Sequence, residues 1–394
     1  MALTQVPPAL LTSTTGTGST VVLSASPTFT GTITTPGVTF SDASSQTAAA
    51  SPYVLKNRII NGDMRINQRN ATVTITNADT YSVDRFFGTG QASDGVFTLQ
   101  QSTTAPTGFN NSLLATVTTA DSSIGSSQYY LFIHRIEGYN IADLGWGTAN
   151  AKTVTLSFWV RSSVTGTFGG SLRNSAADRS YPYSYTISAA NTWEQKTITI
   201  AGDTTGTWLT DNGIGISIAW SLGDGSSRLN TAGAWAAGSY SGATGQTNLI
   251  ATNGATWYIT GVQLEQNTSA TPFERRLYNQ ELANCQRYCI VYQNNAASVG
   301  DNFRFFGGIY NTTTGLCAIC FPVPLRVAPT GVTVSGTFNF FTNNASAAYS
   351  TIGFDVASTK TADVAITGTS YTTNAIAILS SSTNAKIEFT GTEL

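Results

Sequence analysis

Only one stretch of this 394-residue sequence carries a helical repeat, and it is short. From Trp257 to Tyr292 the chain first alternates as a strand, with Tyr258, Thr260, Val262 and Leu264 on one face, and then crosses a polar turn at 266–270. Thr271, Pro272 and Glu274 have the spacing of an N-cap, a first helical position and a capping-box acid, which predicts a helical turn there. Tyr278, Leu282, Cys285 and Cys289 then recur at intervals of four, three and four, one apolar stripe on a helix over 278–290. So short a helix is not stable alone, so its stripe must pack on a neighbouring domain or on other copies of the chain. The sequence on both sides reads as short β-segments, which makes the chain all-β with one helical joint.

That joint divides the chain into four segments. Residues 1–56 carry side-chain charge only at Asp42 and Lys56, and short Thr/Val/Ile runs there are broken by Gly and Pro. They predict an extended N-terminal shaft or anchor, stable only when wound with identical chains or docked to a partner. Residues 57–277 open with a strand, a tight Asn61-Gly62 turn and a second strand bearing Met64, Ile66 and Gln68. Some ten alternating segments follow, and alternating strands must bury one face against a second sheet, so a central jelly-roll β-sandwich is expected. The linking helix is 278–290, and 291–394 reads as a smaller C-terminal β-domain or tip.

Composition excludes several classes. Charged residues make up 10%, against roughly 25% in an ordinary soluble domain. A formal net charge of -2 argues against nucleic-acid binding, which rests on concentrated Lys and Arg. No apolar run approaches the ~18 residues of a membrane span, and the N-terminus has no secretion-type basic and apolar regions.

No catalytic group is expected. The single histidine, His134, rules out a multi-histidine metal site and reads as a structural residue in YYLFIHRIEG. Asp63, Asp84, Glu137, Asp143, Asp178 and Glu194 are the carboxylates from which a glycoside-cleaving pair can be drawn. Most have Arg or Lys nearby, as in Asp84-Arg85, Arg135-Glu137 and Asp178-Arg179, which suggests ion pairs and lowered pKa values. Cys285 and Cys289 lie one helical turn apart, but Cys317 and Cys320 point to opposite faces of a regular strand, so buried thiols are expected rather than zinc. No cofactor or metal is expected. Sugars stack their C–H faces on aromatic rings, and three segments read as loops with aromatic and polar groups: Trp146; Tyr181, Tyr183 and Tyr185; and Trp235 with Tyr240. Pro182 supports a loop at the tyrosine run.

Several motifs together resemble a jelly-roll module of tail-fibre and other receptor-binding proteins of tailed bacteriophages. They are Asn61-Gly62-Asp63-Met64-Arg65 with Gln68-Arg69, then Tyr81 to Phe87, His134 to Gly138, Thr155 to Ser163 and Gly166 to Gly170. Val262 to Glu265, Ala270 to Arg276 and Glu281 to Tyr288 are similar to its close, and Phe321 to Arg326 with Pro329-Thr330 to the opening of the distal domain. The likeness spans roughly 57–330. It implies a structural component of the virion tail, made in the host cytoplasm, that attaches to a host-surface polysaccharide or protein. It also implies a homotrimer anchored to other tail proteins through its N-terminus. A polysaccharide depolymerase of the tailspike type, and a decoration or adaptor protein that binds no receptor, are the alternatives. Related carbohydrate-binding jelly rolls often hold calcium through an acid on the last strand, but Thr260 and Gly261 stand there in this chain.

Overall fold

The computed structural model describes residues 38–39, 45–46, 55–91, 94–294 and 303–394. The chain divides into two units, 1–54 and 55–394. In the first, the described strands Val38–Thr39 and Ser45–Gln46 pair antiparallel. The rest of the expected shaft or anchor lies outside the described residues.

The second unit is built from antiparallel sheets, and 45% of the structure is strand against 6% helix. Two sheets form the sandwich. One has seven strands, in the order Ala236–Ala237, Arg179–Ile187, Gly166–Arg173, Ile214–Asp224, Tyr129–Glu137, Phe86–Gly90 and Thr80–Tyr81. The other has six, in the order Glu194–Ile200, Val154–Ser162, Thr256–Glu265, Ser112–Thr119, Val96–Ser102 and Val73–Ile75. Alternation decides which side chains meet between them. Tyr130, Phe132 and Ile136 of one strand, with Trp220 beside Phe132 on the next, meet Phe158 and Trp257 of the other sheet in an aromatic core. Trp220 and Trp257 are buried to 0% and 1% exposure. Truncating either to Ala costs about 3–5 kcal/mol.

The C-terminal residues build a three-stranded sheet, Val291–Gln293, Lys386–Thr390 and Gly331–Ser335, and a seven-stranded sheet centred on Arg304–Asn311 and Thr314–Cys320. Their own core includes Phe305, Ile319, Phe340, Val364, Leu379 and Phe389.

Three local expectations are corrected. Residues 57–68 do not form a hairpin of two strands. Asn61 instead turns the chain with φ 61°, and its side chain bonds the backbone of Ile66 and the Asp84 carbonyl, replacing ladder bonds by side-chain ones. Gly62 is required beside it, since a Cβ there would lie 2.1 Å from the Val262 carbonyl oxygen. No helical turn begins at Thr271. The capping groups are engaged elsewhere: Thr271 donates to Glu265 through both its N–H and its hydroxyl, and the Glu274 carboxylate accepts the backbone N–H groups of Lys56 and Asn57. The helix is Tyr278–Gln286, shorter than the stripe suggested.

The helix buries Glu281 and Cys285, and just beyond it Tyr288, Cys289 and Ile290. Glu281 accepts the Asn61 N–H and pairs with Arg276 at 3.2 Å, so an ion pair anchors the helix where an apolar contact was expected. Leu282 is half-buried and Tyr278 is 55% exposed.

Candidate functional site

The seven-stranded sheet has a second face, turned away from the core, and a groove of about 240 Å³ lies on it. Its floor follows from the same alternation that built the core. Tyr129, Leu131, Ile133 and Arg135 are the residues left facing outward when Tyr130, Phe132, His134 and Ile136 turn inward. Ser217 lies opposite Arg135 on one side and opposite Arg173 on the other, so register sets Arg173, Ser217 and Arg135 in a row across three adjacent strands. Neighbouring strands are ~4.8 Å apart, which places the two arginine backbones roughly 10 Å apart. The hairpin 174–179 forms one wall. Asn174 holds it closed, donating to Asp178 Oδ1 at 2.6 Å and to the Thr207 carbonyl, and accepting the Asp178 and Arg179 N–H groups. Arg228 and Ser239 come from the long connection after Asp224 and line the groove with Asp79.

The three arginines of the groove have different surroundings. Arg135 pairs with Asp79 at 3.0 Å and donates to the Leu394 carbonyl at 2.7 Å. Arg228 lies over the Tyr129 ring at 5.1 Å and donates only to neutral oxygens, those of Ser127, Ser239 and Gln91. Arg173 has a single long contact, Nη1 to Ser239 Oγ at 3.5 Å, and its buried Nε has no partner. Burial lowers the Arg173 pKa; the fields of Asp224 and Tyr129 oppose that, and those of Arg135 and Arg228 add to it. Asp224 is beyond ion-pair distance, held by Ser241 Oγ at 2.6 Å and Gln246 Nε2 at 3.3 Å, with burial pushing its carboxyl up to about 6.

The aromatic residues singled out from the sequence lie elsewhere. Arg179–Ile187 is a strand, not a loop, and Tyr181, Tyr183 and Tyr185 face the core at 7%, 1% and 6% exposure. Pro182 is tolerated because its carbonyl points away from the Gly166–Arg173 strand, toward the Gly233 N–H, so its missing N–H removes no bond of that ladder. Trp146, Trp235 and Tyr181 come together with Trp208, which the sequence reading passed over, in edge-to-face contacts of 4.7–5.4 Å. Each indole N–H is taken by a backbone carbonyl: Trp146 by Lys152, Trp208 by Thr205 and Trp235 by Ala201. This cluster seals one end of the sandwich. Tyr240 is half-buried, with its N–H on Ser180 Oγ.

The carboxylates are also redistributed. The expected pairs of sequence neighbours do not form, and each group finds its partner elsewhere in the fold. Arg85 reaches Glu393, Arg135 reaches Asp79, Glu137 binds Arg287 and Tyr288, and Arg179 binds Asp203. Asp84 sits with Gln68, and burial pushes it up to about 6 rather than down. Among the other candidates, Asp63 is beside Arg65, Asp143 beside Arg58 and Glu194 beside Lys196. His134 is buried beside Phe86 with both ring nitrogens unpartnered, and burial holds its pKa well below the ordinary value. Cys285, Cys289 and Cys317 are buried, Cys320 is exposed, and burial raises the first two thiols well above their usual range and Cys317 to about 11. Among the described residues no three His, Cys, Asp or Glu side chains converge as a metal site, and no helix is long and apolar enough to cross a membrane.

No protein-family model and no curated protein matches the chain. Several solved structures align with part of the chain. The enzymatically active domain of tailspike protein 4 of bacteriophage CBA120 aligns at 14% identity and TM-score 0.30, over 55% of this chain but only 22% of that one. A family 11 carbohydrate-binding module of Clostridium thermocellum, solved with a mixed-linked tetrasaccharide, aligns at 11% identity and TM-score 0.26 over 51% of this chain and 99% of the module. A putative sugar-binding protein of Bacteroides thetaiotaomicron aligns at 10% identity and TM-score 0.33, over 54% and 100%. Likenesses of this size carry no argument about what this chain binds.

Sequence reasoning missed Tyr129, Arg173, Ser217, Arg228 and Ser239. A signal existed for Tyr129: the alternation of YYLFIHRIE places it on the face of Arg135, opposite Tyr130 and Phe132.

Proposed function

We propose that this chain is a receptor-binding structural component of a bacteriophage tail, a tail fibre, and that the outer groove of its sandwich holds a host-surface glycan. The observation that carries the reading is the groove itself. It presents hydrogen-bonding side chains, Arg173, Arg228, Ser217 and Ser239, on a sheet whose other face is a packed aromatic core. A rigid floor lined by convergent polar groups is what sugar hydroxyls require. The buried rings of Tyr181, Tyr183 and Tyr185 have no face left for stacking, so the groove replaces them as the ligand site. The motif set from Asn61 to Thr330 supplies the phage assignment. In this reading 1–56 anchors the protein to other tail proteins, 57–277 is the carbohydrate-binding-like jelly roll, 278–290 links, and 291–394 is the outer β-domain of a homotrimer.

The chain acts as a binder and not as a depolymerase, because its candidate carboxylates are engaged by neighbouring cations or amides. The test is incubation of purified protein with host polysaccharide. Retention on the polysaccharide without release of reducing ends, and loss of retention when Ser217→Trp fills the groove, is the expected result. Reducing-end release would favour the enzyme, and unchanged retention by the filled variant would remove the groove. Mass measurement on the assembly tests the trimer, and a value near 41.4 kDa would contradict it.

A further inference from the structure

The groove is positive in a chain that is not. Three guanidiniums, those of Arg135, Arg173 and Arg228, line it against the single carboxylate of Asp79, while the whole sequence has a formal net charge of -2. Asp79 is already taken by Arg135. Neither Arg173 nor Arg228 has a carboxylate within ion-pair distance among the described residues, and both reach the same neutral oxygen, Ser239 Oγ, at 3.5 and 3.4 Å. Two cations converging on one hydroxyl repel each other. Removing such a group from water without an anion is costly, and a packed apolar side chain would commonly be more stable in its place. Arg173 nevertheless occupies a strand position whose register fixes it beside Ser217.

We propose that the groove selects an anionic sugar unit, whose carboxylate or phosphate oxygens sit between the guanidiniums of Arg173 and Arg228, above Ser217 and Ser239. The inference rests on the reading of the groove as a glycan site and adds the class of glycan. Guanidinium groups match planar oxyanions through paired N–H donors, and such charge-assisted bonds are about twice as strong as neutral ones. Arg173 reaches the groove through its terminal guanidinium nitrogens, whose one contact among the described residues is the long one from Nη1 to Ser239 Oγ. Arg228 is steadied by the Tyr129 ring and by three neutral acceptors, so it is pre-oriented without being neutralised. The volume, about 240 Å³, is below the roughly 300–1,000 Å³ of clefts that enclose drug-sized ligands. It suits one charged unit of a chain whose neighbours run out over the rim.

The full-length protein is titrated calorimetrically with three probes of matched length: an oligogalacturonate, a phosphorylated oligomannoside and the unmodified oligomannoside. Each titration is repeated at about 50 and about 300 mM NaCl, because exposed charge contacts weaken with screening. The expected result is binding of at least one anionic probe, about tenfold or more tighter than the neutral one, weakened by salt. Arg173→Gln and Arg228→Gln should each reduce that binding by about tenfold or more. Arg304→Ala, at the exposed first position of the C-terminal strand Arg304–Asn311, should not. Which anionic probe binds distinguishes a carboxylated from a phosphorylated source. Equal, salt-insensitive affinity for neutral and anionic probes would overturn the charge selection and leave the glycan reading standing. Binding of the anionic probe untouched by both arginine substitutions would also overturn it. If no probe binds and host polysaccharide is not retained either, the glycan reading falls as well. Thermal melting of each variant separates a loss of binding from a loss of fold.

Discussion

Arg85 and Arg173 are both arginines set among packed side chains, Arg85 fully buried and Arg173 half-buried at the groove, and the protein treats them in opposite ways. Arg85 stands where the sandwich meets the C-terminal sheets. It pairs with Glu393 at 2.6 Å, donates to the Arg135 carbonyl at 2.6 Å, and lies 3.6 Å over the Tyr288 ring. Burial alone would lower its pKa, but Glu393, Tyr288 and Tyr81 more than offset that. Glu393 and Glu388 also pair with Arg69, and Arg326 donates to the carbonyls of Thr392 and Glu393, so ion pairs and hydrogen bonds link both sides of the junction. Arg173 is half-buried and has no acid within ion-pair distance among the described residues. A buried charge with its partner in place holds two parts of a fold in register, and one without a partner is available to a ligand.

The comparison breaks most easily at Glu393. Glu393→Ala leaves Arg85 buried without a carboxylate, and chemical denaturation should show a loss of about 3–5 kcal/mol. A loss below ~1 kcal/mol would mean that Arg85 is no more committed to the fold than Arg173.

The second test is at Glu137, which accepts from Arg287 at 2.9 and 2.5 Å and from the Tyr288 hydroxyl at 2.5 Å. Burial would raise its pKa, but these donors hold it below the usual value. Its stabilisation is therefore present above the unfolded carboxyl pKa and lost as pH falls through the lower folded one. Glu137→Gln should cost about 1.5–3 kcal/mol at neutral pH and flatten the acid limb of the stability curve.

Asp84 and Asp224 should show the opposite sign. Burial puts both at about 6, above an unfolded value near 3.9, so the folded state binds the proton more tightly. Their contribution to stability is full below about pH 4 and is lost as pH rises to about 6. Replacing Asp224 by Asn should reduce that slope in melting curves recorded across the window, and an unchanged slope would remove it as a contributor.

The smallest effect is expected at Arg173 itself. Arg173→Leu breaks no ion pair, and its stability should stay within about 1 kcal/mol of the parent or rise. A loss comparable to that of Glu393→Ala would make Arg173 a structural residue.

How much of this was legible in the sequence depends on range. The strands could be read because alternation is local: YYLFIHRIE and KTVTLSFWVRSS announce their two faces. The helix was found from its spacing, but its buried acid was not, because the Asn61 N–H that Glu281 accepts lies 220 positions away. The capping-box pattern misled for the same reason, since Glu265 and the Lys56–Asn57 backbone claim Thr271 and Glu274. The groove was invisible for a further reason. Arg173, Ser217 and Arg135 become neighbours only once three strands pair in one register, and Arg228 and Ser239 arrive on a long connection with no strong pattern of its own. Aromatic residues near Gly and Ser pointed to loops, and Trp146 and Trp235 do lie between strands, yet with Trp208 they pack on the core and offer no open ring face.

The central claim is that the outer face of the seven-stranded sheet holds a glycan through Arg173 and Arg228. A crystal of the protein soaked with trigalacturonate and one soaked with a phosphorylated mannose oligomer test it most directly. The account predicts density for an oxyanion of one of these ligands between the two guanidiniums, within hydrogen-bond distance of the terminal nitrogens of Arg173. An empty groove in both crystals with ligand bound elsewhere on the chain would contradict it.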